Sequence, residues 1–189
     1  MSMRADRPAH MAPPARPLPG SGTASRHVLV VLARNQPGVL NRVTSLMRAR
    51  NFNIESLTAS HTARPGISHM TITIWGDEVT VEQATKQLYK LIDVLKVQDL
   101  SDAPIVEFDL ALLKVSAPPP ARAEITAIAE MHRAMVVDVA DASLILQAAG
   151  SVAEIDALIS LLTPFGIKEV LRTGSVAMPR GNAVTREGE

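Results

Sequence analysis

Branched aliphatic residues run unbroken through "HVLVVLA", residues 27–33, a stretch too short for a helix and closed by a turn, as in a buried strand. Leu40, Val43, Leu46 and Met47 then fall one, four, seven and eight positions after Val39, the spacing of one apolar helix face, with Arg42, Arg48 and Arg50 largely off it. "NFNIESLTASHT", residues 51–62, leads irregularly into a strand, and Arg64, Pro65 and Gly66 turn the chain toward the next. There Met70, Ile72 and Ile74 alternate with His69, Thr71 and Thr73, the period of a half-buried strand, so the two strands form a hairpin. Val81, Ala84, Leu88, Leu91 and Leu95, spaced by three and four, predict a second helix, and "LKVQDLS" a closing strand.

Strand, helix, strand, strand, helix, strand is the split βαβ unit of a ferredoxin-like fold, an α+β antiparallel sheet with both helices on one face. The pattern then repeats. Val106, Phe108, Leu110 and Leu112 alternate, "SAPPPA" breaks the chain, and Ile125, Ile128 and Met131 mark a helix. Strands "MVVDVA" and "SLILQAA" follow, then a helix carrying Val152, Ile155, Leu158, Ile159 and Leu162, and a last strand near "IKEVLRTGSVAM". Two ferredoxin-like βαββαβ domains in tandem are therefore expected, over residues 27–102 and 103–181. Each leaves one sheet face without helices, and pairing between copies is the expected cover, which predicts a homo-oligomer.

Composition sharpens the ends. Residues 1–26 hold five prolines, four arginines and one acidic residue, too little apolar surface to offset chain entropy, so a disordered tail is expected there. An Arg-rich targeting peptide is the competing reading, opposed by the prolines. Residues 182–189 read as a second flexible tail. With 19 basic and 19 acidic residues the net charge is zero, which gives no support for a nucleic-acid or membrane-surface partner. The absence of cysteine excludes disulfides and thiolate chemistry. No apolar run reaches the roughly 20 residues of a membrane span, so a soluble, cytoplasmic protein is expected.

Reactive constellations are scarce. His61, His69 and His132 lack the spacing that sets two ligands on one helix face; His61 and His69 could approach across the hairpin, but a metal needs more ligands than two histidines. Asp138 and Asp141 flank a predicted turn, where Asp serves local backbone hydrogen bonds. Glu55 has no visible catalytic partner. No catalytic residue and no metal site are expected.

The turn "NQPGVL" at residues 35–40 stands out. Asn35 suits a helix cap and Pro37 a first helical turn, so an ordinary helix start is one reading. Gly38 supports another: without Cβ, it lets a small carboxylate approach the N–H groups at the positive end of the helix dipole. Asn53 in "NFNIESL" adds a neutral donor and acceptor suited to a zwitterion.

In "HVLVVLARNQPGVLNRVTSLMRARNFNIESLTAS", "SHMTITIWGD" and "KQLYKLIDVLKV" the chain resembles the ACT-domain half of the acetolactate synthase (acetohydroxyacid synthase) small regulatory subunits. "RAEI", "VVDV" and "PFGIKEVLRTGSVAMPRG" resemble the C-terminal domain of that family, so the likeness spans about residues 27–181. It implies a non-catalytic subunit that activates a large catalytic subunit carrying thiamine diphosphate, Mg2+ and usually FAD. It also implies feedback inhibition by a branched-chain amino acid, most often valine, held between the ACT domains of a homodimer. The positions matching the family's effector motif are Asn35, Gly38, Val39 and Leu40 on the turn and helix start, with Asn53 and Ile54 from the facing segment. In "LQAAG" and "MHRAMVVDV" the chain departs from the family pattern, which bears on the C-terminal half. A free-standing amino-acid sensor with another client, or a small enzyme, are the alternatives.

Overall fold

The structure, a computed structural model, describes residues 25–185. The predicted tail over 1–26 lies outside the described residues except for Ser25 and Arg26, which open the first strand two residues earlier than expected. Of the predicted tail over 182–189, only residues 182–185 are described; there Thr185 meets the side chain of Gln98 at 3.0 Å.

The N-terminal unit runs β1 (Ser25–Arg34), α1 (Val39–Ala49), β2 (Asn53–His61), β3 (Ile67–Gly76), α2 (Glu78–Leu88) and β4 (Val94–Asp99). Its antiparallel sheet has the order β2-β3-β1-β4. The second unit runs β5 (Ile105–Ser116), α3 (Arg122–Met131), β6 (Met135–Ala140), β7 (Ser143–Gly150), α4 (Val152–Leu162) and β8 (Ile167–Arg172). It repeats the order as β6-β7-β5-β8, so both halves are ferredoxin-like, in agreement with the predicted tandem.

Period-two strands and period-3.6 helices meet in each core. Leu29 and Val31 of β1 and Ile72 and Ile74 of β3 pack against Val43 and Met47 of α1 and Val81 and Leu88 of α2. Each such buried side chain contributes about 1.5–3 kcal/mol of transfer free energy. Helix α2 starts where the Asp77 carboxylate accepts the Thr80 N–H, and α4 where Ser151 and Glu154 form a reciprocal capping box.

Several elements depart from the sequence reading. Helix α2 stops at Leu88, so Leu91 packs from a turn and Leu95 lies on β4. In β5 the core side is Ala111, Leu113 and Val115, with Asp109 beside them, and the expected core positions Leu110 and Leu112 face the other way. Both faces of that strand are apolar, so alternation alone selects the wrong one. Met131 is largely exposed, and Ala129 occupies the core in its place. The last predicted strand is divided: Gly174, at φ +82°, breaks it into β8 and β9 (Val176–Pro179), and β9 pairs with the first half of β5.

That division joins the halves. Ala177 of β9 is buried with Val28 and Val30 on the helix-free face of the N-terminal sheet, together with Leu100. This face is therefore covered in part by the chain itself. The helix-free face of the second sheet, with Leu110 and Leu171, remains open among the described residues. No described helix is long and apolar enough to cross a membrane.

Candidate functional site

The turn between β1 and α1 is held by short-range bonds. The Asn35 N–H donates to the Gly66 carbonyl at 2.7 Å, and the Val39 N–H to the Gln36 carbonyl at 3.2 Å. Asn35 does not cap the helix; its side-chain amide donates to Nδ1 of His61 at 3.2 Å. Pro37 lies before the cap position, which belongs to Gly38 at φ +84°, and no side chain bonds to the first-turn N–H groups. Helix α1 thus begins, at the positive end of its dipole, without a side-chain cap on the N–H groups that follow Val39, unlike the side-chain-capped α2 and α4.

An ion pair stands beside that end. The Arg42 guanidinium reaches back over Gly38, close enough that a Cβ there would lie 3.2 Å from Nη1. Its Nη2 donates to the buried Asp93 carboxylate at 2.5 Å, while the Asp93 carbonyl accepts the Arg34 N–H at 2.8 Å. Asp93 therefore ties the end of β1 to the first turns of α1. A cavity of about 250 Å³ opens at this junction, lined by Asn35, Gly38, Val39 and Leu40 and by Ala59, His61 and Met70 from the hairpin. It lies just below the ~300–1,000 Å³ of drug-sized sites, which suits a ligand the size of an amino acid. Met70, Val39 and Leu40 give it apolar walls, and Leu40 is 45% exposed at its mouth.

A second cavity of similar size is lined by His27, Glu78, Glu82, Asp99 and Asp102, an acidic surrounding that repels a carboxylate. The histidine pair considered from the sequence does not converge. His61 pairs with Ser68 and His69 with Ser60, so the two side chains project from opposite faces of the sheet. Burial pushes the His69 imidazole below its usual pKa. Among the described residues no group of three potential ligands is placed to hold a metal.

Four of the six motif positions, Asn35, Gly38, Val39 and Leu40, share the cavity; Asn53 and Ile54 do not. Asn53 pairs with Trp75 at the far end of β2, eight residues from His61, or about 26 Å at ~3.3 Å per residue. Within one chain the two segments cannot hold one ligand. Sequence reasoning missed His61, Met70 and Arg42. The hairpin register, with a turn at Arg64–Gly66, is the available signal for the first two; Arg42 lies off the apolar face, and no local pattern links it to Asp93.

Comparison with known proteins agrees with this architecture. Residues 29–96 match the family of AHAS small subunit-like ACT domains, and residues 109–181 the family described as small subunit of acetolactate synthase. The acetolactate synthase small subunit of Aquifex aeolicus is 46% identical over 88% of this chain and 87% of its own length. That of Bacillus subtilis is 47% identical over 82% of this chain and 91% of its own. The crystal structure of the small subunit from Thermotoga maritima superposes with a TM-score of 0.79 at 37% identity, covering 84% of this chain and 99% of that one. On matches that cover both halves, the chain belongs to the acetolactate synthase small-subunit family, with an N-terminal ACT domain.

Proposed function

We propose that the chain is the subunit that senses a branched-chain amino acid, most simply valine, and sets the activity of a large acetolactate synthase catalytic subunit accordingly. The observation that carries this reading is the uncapped start of α1 at Gly38, facing a small cavity with the Arg42 guanidinium alongside. The effector carboxylate would take the free N–H groups, and Val39, Leu40 and Met70 would meet its aliphatic side chain.

The ammonium end requires more than one chain. Strand β2 lies at the edge of its sheet. Antiparallel pairing of two copies of β2 about a two-fold axis would bring Asn53 and Ile54 of one chain beside His61 of the other. Ile54 shares the helix-side face with Ala59 and His61, the face on which the cavity opens. A homodimer through the ACT domains would in this way complete two equivalent sites, with Ile54 on the cavity side and Asn53, one residue earlier, at the strand start where the chain enters the pair.

Thiamine diphosphate, Mg2+ and FAD belong, in this reading, to the catalytic subunit. The effector can inhibit only if it binds better to the arrangement in which that subunit is less active. The deciding experiment is acetolactate formation by the matching catalytic subunit, with and without this chain, over a valine titration. Activation reversed by valine is the expected result; no activation and no valine response would overturn the proposal.

A further inference from the structure

Arg26, the second described residue, holds the two halves of the chain together with one side chain. Its Nε donates to Glu55 on β2 at 3.0 Å; Nη1 and Nη2 grip the Glu107 carboxylate of β5 at 3.2 and 2.5 Å. Nη2 also donates to the buried Ser175 hydroxyl at 2.9 Å. Burial opposes the charge on Arg26, but the hydrogen bonds and charges of Glu107 and Glu55 outweigh it, and the guanidinium is held more firmly protonated than usual. The two-pronged contact with Glu107 is one that only arginine can make.

Glu55 occupies an irregular position. The β2-β3 register slips between Ile54 and Ser56, so Glu55 sits on a β-bulge, one residue beyond the Asn53–Ile54 segment. The two residues after the bulge on that face support the C-terminal half. Gly174 lies so close over Ser56 that a Cβ would come within 2.9 Å of its Cβ, and the Thr58 hydroxyl donates to the Thr173 carbonyl at 3.2 Å. One short segment of β2 thus carries the proposed effector contact at its start and the seat of the C-terminal half at its end.

We infer that the bulge at Glu55 and the Arg26–Glu107 contact form a relay, which passes a shift of Asn53–Ile54 on effector binding to the Thr173–Ala177 segment of the C-terminal half. This rests on the effector reading above. The relay works if Glu55 has two settings, turned to Arg26 as in this structure or released from it, which is the bistable element such coupling needs. With Glu55 released, Arg26 keeps its grip on Glu107, and the C-terminal half follows β2 only through the contacts of Ser56 and Thr58.

The test combines hydrogen exchange on the full chain with activity of the reconstituted complex, for wild type and Glu55→Gln. In wild type, valine is expected to slow exchange in the 35–40 turn and to alter it over residues 173–177. In Glu55→Gln the first change should persist, the second should fall at least threefold, and activation should survive while valine inhibition weakens at least fivefold. Full valine inhibition of the Glu55→Gln complex, or an unchanged response over 173–177, would overturn the relay. If no branched-chain amino acid alters exchange at the turn in wild type, the effector reading fails. The relay is then judged without ligand: exchange over 173–177 in Glu55→Gln within twofold of wild type refutes it, and a larger rise supports the mechanical link.

Discussion

Replacing Gly38 separates two effects that coincide at this position. At φ +84° any residue with a Cβ carries strain of about 1–2 kcal/mol, at the lower end for Asp, which tolerates the left-handed region better than most. The new Cβ would also stand 3.2 Å from Nη1 of Arg42, the mobile end of a long side chain, so that contact is relieved by a small rotation. Gly38→Ala thus reports strain alone, and Gly38→Asp adds a carboxylate where the effector's own would sit. Two like charges ~4 Å apart repel by about 1 kcal/mol in a water-like surrounding and about 4 kcal/mol at an effective dielectric of 20. With Leu40 nearly half exposed at the mouth, the lower figure is the safe floor, about a fivefold loss of affinity. The assay is valine inhibition of the reconstituted complex for both variants, with thermal melts as a check on folding. Strain near 1 kcal/mol lowers the melting temperature by about 2–4 °C in a chain of this length. The inhibition midpoint for Gly38→Asp should lie at least fivefold above that for Gly38→Ala, with activation intact in both. Equal midpoints would refute carboxylate binding at this helix start.

Three further outcomes follow from the packing. Burial works to raise the Glu107 pKa, but hydrogen bonds from Arg26 and Ser175 and the Arg26 charge outweigh it and hold the carboxyl below its usual 4.5. A depressed folded-state pKa contributes stability above about pH 4.5 that is lost as the pH falls through the lowered value, so urea midpoints of wild type and Glu107→Gln should converge in acid and separate near neutrality. Gly174→Ala, with its Cβ 2.9 Å from that of Ser56 at φ +82°, should destabilise by about 1–3 kcal/mol in urea unfolding, more than Gly66→Ala, which shares a positive φ but meets nothing within 4 Å. Ser151→Ala removes half of a capping box and should cost about 1 kcal/mol, read as a lower melting temperature with activation unaffected.

The repeat was legible because helices and strands impress different periods on the chain, and each half carries both in the same order. What periodicity could not resolve was a strand with two apolar faces: in β5, Leu110 and Leu112 look as much like core as Leu113 and Val115, and only the position of α3 and α4 chooses between them. The split of β8 from β9 turns on Gly174, one residue whose role depends on Ser56, more than a hundred positions earlier. At the candidate site, the glycine at a helix start was readable locally. His61, Met70 and Arg42 were not, because their places depend on hairpin register and on a bond to Asp93. Asn53 and Ile54 lie outside the single-chain cavity altogether, and no local pattern reports a symmetry axis.

The shared cluster of Val28, Val30, Leu100 and Ala177 bears on how this protein can be divided. A fragment cut after residue 102 would keep every strand and helix of the ACT repeat, yet it would bare two valines that are almost fully covered in the whole chain. Such a fragment presents a new adhesive patch where the intact chain is covered by β9. Self-association of the isolated repeat through that patch would then be an artefact of the cut, distinct from pairing at the β2 edge. Two copies of one motif, each complete in outline, have become halves that must be made together.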